Sequence, residues 1–122
     1  MAELTGSEII AKALKREGVA ELFYLMGGPM ILAEASCLAE GIRAIDVRHE
    51  QAAAMMAQAY SRLRQIPSFC LAASGPGVTN LTTGMANALI DCAPVIAIGG
   101  SSPIGTYGRQ VFQEIDQVAL MA

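Results

Sequence analysis

Apolar positions along the chain switch repeatedly between two spacings, short continuous runs and i, i+3, i+4 stripes, and the switching marks out the predicted elements. Thr5, Gly6, Ser7 and Glu8 form a capping-box pattern; Ile9, Ile10, Ala13 and Leu14 follow on one helical face until Gly18 supplies a stop. The apolar run at 22–26 predicts a buried strand, closed by Gly27, Gly28 and Pro29 in a strand-to-helix turn. A second helix carries Ile31, Leu32, Ala35, Leu38 and Ala39 and ends at Gly41, before a strand at 42–47. Helical spacing returns with Ala52, Met55, Met56, Ala59, Tyr60 and Leu63, then again with Leu81, Met85, Ala88 and Leu89. Between and after these helices the runs at 69–72 and 95–98 predict two more strands.

Strands that read as continuous apolar runs, separated by helices long enough for right-handed crossovers, predict a doubly wound α/β domain. Its sheet should be mainly parallel, with helices on both faces. Residues 99–108 are rich in Gly, Ser and Pro and predict a loop, followed by a helical tail from Gln113 to Ala122. The 122 residues fit one domain. A last helix barely begun leaves the sheet edge in need of cover, so residues 1–122 are expected to be a C-terminally incomplete domain or one half of something larger.

In open parallel sheets ligands bind beyond the carboxyl ends of the strands. Four turns stand there: Gly27-Gly28-Pro29, Arg48-His49-Glu50, the stretch from Ser74 to Asn80, and the stretch from Gly99 to Pro103. At about 100° per residue the stripe from Ala52 to Leu63 is centred nearly opposite Glu50, so Glu50 is expected to face away from its own core. A lone carboxylate at that edge is either a helix-end charge or a group awaiting a ligand proton. "ASGPGVTN" lets a ligand approach the backbone, which leaves open a nucleotide-binding α/β module; Asn80, however, stands where GxGxxG needs its third glycine, and no GxxxxGK[ST] occurs.

Composition narrows the classes further. Net charge is −3 and the basic residues are scattered or set beside acids, which removes the basic stripe that nucleic-acid binding needs. No apolar run approaches the roughly 20 residues of a membrane span. The N-terminus lacks a signal-peptide pattern, so no membrane association and a cytoplasmic address are expected. Hydrophobic residues make up 53% of the chain against 16% charged, which predicts apolar surface covered by a partner. Cys37, Cys70 and Cys92 are expected to be inert core thiols, and His49, the only histidine, excludes a multi-histidine metal site within the chain.

Taken in order, "TGSEIIAKALKREGV", "LMGGP", "VRHEQAAAMMAQAYSR", "ASGPGVTNLTTGMANALID", "PVIAIGG" and "VFQEIDQV" resemble the N-terminal pyrimidine-binding (PYR) domain of thiamine diphosphate enzymes. The similarity is to the acetohydroxyacid synthase, pyruvate oxidase and oxalyl-CoA decarboxylase group, and it covers nearly the whole chain. It implies that Glu50 hydrogen-bonds N1' of the cofactor's aminopyrimidine, promoting the proton exchange that activates the cofactor. It further implies that Pro76 and Asn80 border that ring, that Gly27 and Gly28 form the turn near the thiazolium, and that Phe112 and Gln113 point toward the reacting carbon or substrate.

Simpler roles stand beside these. Gln113 could be a solvated helix start, Pro76 a turn residue, and Met55 and Met56 packing; His49 could orient the turn of Glu50 or pack against a neighbour. The resemblance places the diphosphate and Mg2+ on a separate PP domain with a GDG motif, and this chain has no Gly-Asp pair. No metal ligand is therefore assigned here. The expected partners are a PP domain of the same or a second subunit, in a homodimer or tetramer, and a small keto acid or acyl substrate. A catalytically silent PYR-like assembly domain is the remaining alternative.

Overall fold

A computed structural model describes residues 3–122. In chain order its elements are α1 (Gly6–Arg16), β1 (Glu21–Tyr24), a 3₁₀ turn (Gly28–Met30), α2 (Ile31–Ala39), β2 (Arg43–Asp46), α3 (Glu50–Arg64), β3 (Ser68–Ala72), α4 (Pro76–Ile90) and β4 (Val95–Gly99). A second 3₁₀ turn (Ile104–Thr106) and α5 (Gln117–Met121) follow. The four strands form one parallel sheet in the order β2-β1-β3-β4. This is the doubly wound α/β arrangement that the alternation of runs and stripes predicts.

The two-residue repeat of the strands sorts the core into two layers. Leu22, Phe69 and Leu71 project to the face where Ala11, Leu14, Ala33 and Cys37 of α1 and α2 pack. Phe23, Cys70 and Ala72 project to the other, against Ala53, Ala54 and Ala57 of α3 and Leu81 of α4. β3, flanked by strands on both edges, is buried at every residue. The capping box holds α1 as expected: the Glu8 N–H donates to Thr5 Oγ1 at 3.3 Å and the Thr5 N–H to Glu8 Oε2 at 2.7 Å.

The buried face of α3 differs from the predicted one. Ala52, Met55, Met56, Ala59 and Leu63 are exposed, Leu63 at 84%, whereas Glu50, Ala53, Ala54, Ala57, Gln58 and Ser61 are buried. Size decides this more than hydrophobicity does. α3 and α4 approach so closely that a Cβ on Gly84 would lie 2.4 Å from the Cβ of Ala54, so only small side chains fit between them. Two buried polar members of the face, Gln58 and Ser61, are satisfied: Gln58 Nε2 donates to Asp91 Oδ2 at 2.5 Å, Asn87 Nδ2 donates to Gln58 Oε1 at 2.7 Å, and Ser61 Oγ donates to the Ile66 carbonyl at 2.8 Å.

Two further expectations are corrected. The tail is helical only from Gln117: Gln113 adopts a left-handed φ of 59°, outside the right-handed region that helical residues occupy. Gln113 is therefore a turn residue. Cys37 and Cys70 are core thiols, Cys70 pushed up to about 12 by burial, but Cys92 is exposed, since it falls in the turn that ends α4. Among the described residues no helix is long and apolar enough to cross a membrane.

Gly84→Ala tests the close helix contact. The substitution adds about 1 kcal/mol of helix propensity, yet overpacking against Ala54 is expected to cost more, about 1–3 kcal/mol. A urea midpoint lower than that of the native protein is the expected outcome, and a raised midpoint would show that the helices can part.

Candidate functional site

β1 and β3 lie side by side, yet the chain leaves them toward opposite faces, into α2 on one and α4 on the other. Such a divergence at the carboxyl ends of parallel strands is the switch point where open α/β sheets take ligands. The two loops touch there: a Cβ on Gly27 would lie 2.2 Å from the Cβ of Ala73.

Glu50 enters this edge from the end of β2, as the first residue of α3. His49 is the N-cap, its Nδ1 accepting the Gln51 N–H at 3.2 Å, so the histidine holds the turn from which Glu50 projects. Glu50 is only 8% exposed. Asn80 Nδ2, on the second turn of α4, donates to Glu50 Oε2 at 2.9 Å. Oε1 accepts no hydrogen bond among the described residues, and a Cβ on Gly77 would crowd it at 3.3 Å. The expectation that Glu50 turns away from its own core is overturned. It lies on the same narrow buried face as Ala53, Ala54 and Ala57, because small-residue packing draws that face toward α4.

α4 begins at a turn that only glycine adopts easily. Gly75 has φ 56° and ψ −112°, and Pro76 follows at the first helical position, where its missing N–H costs nothing. A Cβ on Gly75 would lie 2.1 Å from the Gln113 carbonyl oxygen, so the tail passes directly over this turn. Beside it is a cavity of about 360 Å³ whose lining includes Gly28, Pro29, Ser74, Pro103, Phe112 and Gln113. Phe112 stands 87% exposed at its rim.

The residues singled out in the sequence thus fall into two adjoining groups. Glu50 and Asn80 are joined by a hydrogen bond, with Pro76 exposed at the start of the helix that carries Asn80. Gly28, Phe112 and Gln113 line the cavity, which Glu50 does not reach, and Gly27 sits at the switch point. The turn at 74–77 connects the groups, since Ser74 lines the cavity and Gly77 abuts Glu50.

Two residues were missed by pattern reading. Glu114 accepts the Gly108 N–H at 2.5 Å and the Val111 N–H at 3.1 Å, folding the loop that presents Phe112 and Gln113. Gln117 Oε1 accepts the Gly75 N–H at 3.1 Å while its Nε2 donates to the Gly100 carbonyl at 2.7 Å. Polar residues in a tail carry no periodic signal, so only their position after Phe112 could have drawn attention to them.

A switch-point edge carrying a buried, amide-held carboxylate defines a ligand-binding α/β domain. The chain belongs to the family described as "Thiamine pyrophosphate enzyme, N-terminal TPP binding domain", which matches residues 4–120. Acetolactate synthase 2, chloroplastic, of Nicotiana tabacum is 42% identical over 110 residues, 89% of this chain and 17% of that protein. The probable acetolactate synthase large subunit of Methanocaldococcus jannaschii is 42% identical over 117 residues, 96% of this chain and 20% of that protein. The acetolactate synthase isozyme 2 large subunit of Escherichia coli is 38% identical over 117 residues, 96% of this chain and 21% of that protein. The chain spans a small share of each.

The Glu114 clamp has a pH signature. The Gly108 N–H, ahead of weaker contributions from neighbouring amides, holds its carboxyl below the usual carboxylate range. With the folded pKa depressed, the clamp's contribution is fully present above the unfolded value and is lost as pH falls through the folded one. The amide protons of Gly108 and Val111 should titrate together by NMR with a midpoint below the usual carboxylate range, and Glu114→Gln should abolish the titration.

Proposed function

We propose that this domain is the pyrimidine-binding half of a thiamine diphosphate-dependent enzyme acting on a 2-keto acid or related acyl substrate by carbon–carbon cleavage or ligation. The observation that carries the reading is the Glu50 carboxylate: nearly buried, at the sheet's ligand edge, with Oε2 occupied by Asn80 and Oε1 left as an acceptor. The fit to an aminopyrimidine is chemical. A planar ring with a basic nitrogen needs one carboxyl oxygen able to hold or pass a proton, and an unclaimed acceptor beside a glycine that leaves room meets that need.

When bound, thiamine diphosphate would supply a nucleophilic ring carbon for a carbonyl and a cationic thiazolium ring able to take up the electron pair of a broken carbon–carbon bond. Glu50 contributes by exchanging a proton at Oε1 with N1' of the pyrimidine. Asn80 keeps the other oxygen engaged, so the side chain does not rotate into competing hydrogen bonds. Pro76 and Asn80 border the pyrimidine in this reading, and Gly27, packed against Ala73, and the open Gly28 form the turn near the thiazolium. Phe112 and Gln113, at the neighbouring cavity, shield the reacting carbon and orient the substrate.

The diphosphate and its Mg2+ belong, in the same reading, to a PP domain of this or a second subunit, in a dimer or tetramer. The outward Met55, Met56 and Leu63 of α3 and Leu89 of α4 support a surface that such a domain covers. The synthase names of the relatives support the ligation branch of the chemistry.

Glu50→Gln in the assembled enzyme tests the assignment. The fold should persist, because the amide retains an oxygen for Asn80, while exchange of the C2 proton of the bound cofactor should fall by about 10²–10⁴. An NMR-measured exchange rate close to the native one would overturn the role of Glu50.

A further inference from the structure

We propose that Gln117 is a positioning residue for Glu50, acting through the turn that starts α4; the inference rests on the thiamine diphosphate reading above. Three chain segments meet at its side chain. Its Oε1 takes the Gly75 N–H from the turn after β3, its Nε2 donates to the Gly100 carbonyl in the loop after β4, and its own backbone belongs to the tail.

The chemistry of the partners specifies an amide. A backbone N–H only donates and a carbonyl only accepts, so one side chain that serves both must carry an acceptor and a donor about one carbon apart. Glutamate would keep the first bond and set a carboxylate oxygen against a carbonyl at the second. The Gly75 N–H stands at the N-cap of α4, where amide groups lack partners within the helix, and no side chain of the cap itself serves them.

The turn so held is the one that arranges the carboxylate. Gly75 leads into Gly77, which abuts Glu50 Oε1, and into Asn80, which holds Oε2. The Gln113 carbonyl presses on Gly75 from the tail side, so the same clip also sets the wall of the cavity. Displacement of the turn by about 1 Å is enough to cost on the order of 10²-fold in a reaction that depends on alignment. Gln117 does not line the cavity and makes no hydrogen bond with Glu50; it acts by tying the turn at Gly75 to the loop at Gly100, and both bonds are needed for the tie.

Gln117→Met, which keeps the length and volume and removes both hydrogen bonds, is the test in the assembled enzyme. Amide hydrogen exchange over residues 73–80 of the cofactor-free protein should accelerate by about tenfold. C2 proton exchange of the bound cofactor, at saturating cofactor, should slow by about tenfold. Unchanged amide exchange would overturn the clip; accelerated amide exchange with native C2 exchange would overturn its positioning role. Should the methionine variant fold poorly, Gln117→Glu retains the Gly75 bond and is expected to show a smaller change in both readouts, native behaviour in either again overturning the inference. Glu50→Gln measured alongside separates the two readings. If it leaves C2 exchange native, the site assignment fails; if it abolishes exchange while Gln117→Met does not slow it, only the inference about Gln117 fails.

Discussion

The close contact of Ala54 with Gly84 is the constraint from which the candidate site follows. Both helices run antiparallel to the strands they connect and hence parallel to each other, so stepping one turn along each keeps residues paired. One turn toward the N-termini stand Glu50 and Asn80, four residues before Ala54 and Gly84 respectively, and these share a hydrogen bond. In the other direction the same ladder continues with Gln58 and Asn87, then with Arg62 and Asp91. A larger residue at 54 or 84 would separate the axes and weaken every rung. The carboxylate therefore owes its orientation to a contact between a methyl group and a hydrogen atom.

That packing has a consequence for the surface. With the inner face of α3 reserved for alanine, serine and hydrogen-bonded polar groups, the large apolar side chains Met55, Met56 and Leu63 turn outward. Unlike the sheet, which buries Phe69, Leu22 and Leu71, α3 buries its small residues and displays its large apolar ones.

The tail after β4 has little regular structure and is ordered by specific polar contacts. Glu114 gathers the amides of Gly108 and Val111, and Gln117 ties the turn after β3 to the loop after β4. Such contacts matter more here than apolar burial, since Ile104, Tyr107 and Phe112 are exposed. A wall held in place by hydrogen bonds can stay beside a ligand edge without closing over it.

The order of strands and helices, the parallel sheet, the cap of α1 and the turns at the carboxyl ends of the strands were all legible in the chain, because each rests on local periodicity or on turn chemistry within a few residues. The motif order also pointed to the family before any coordinates. The buried face of α3 was not legible, since hydrophobic spacing favours Met55 and Leu63 and only the distance to Gly84 reveals that nothing that large fits. Nor were the roles of Gln113, Glu114 and Gln117, whose partners lie in turns that folding brings near. Residue by residue, then, the sequence determined which elements form and in what order, for local energies suffice to specify them. The tertiary structure alone decided which atoms of Glu50 are engaged and what holds the turn opposite it, because those depend on the spacing of two helices that no local signal encodes.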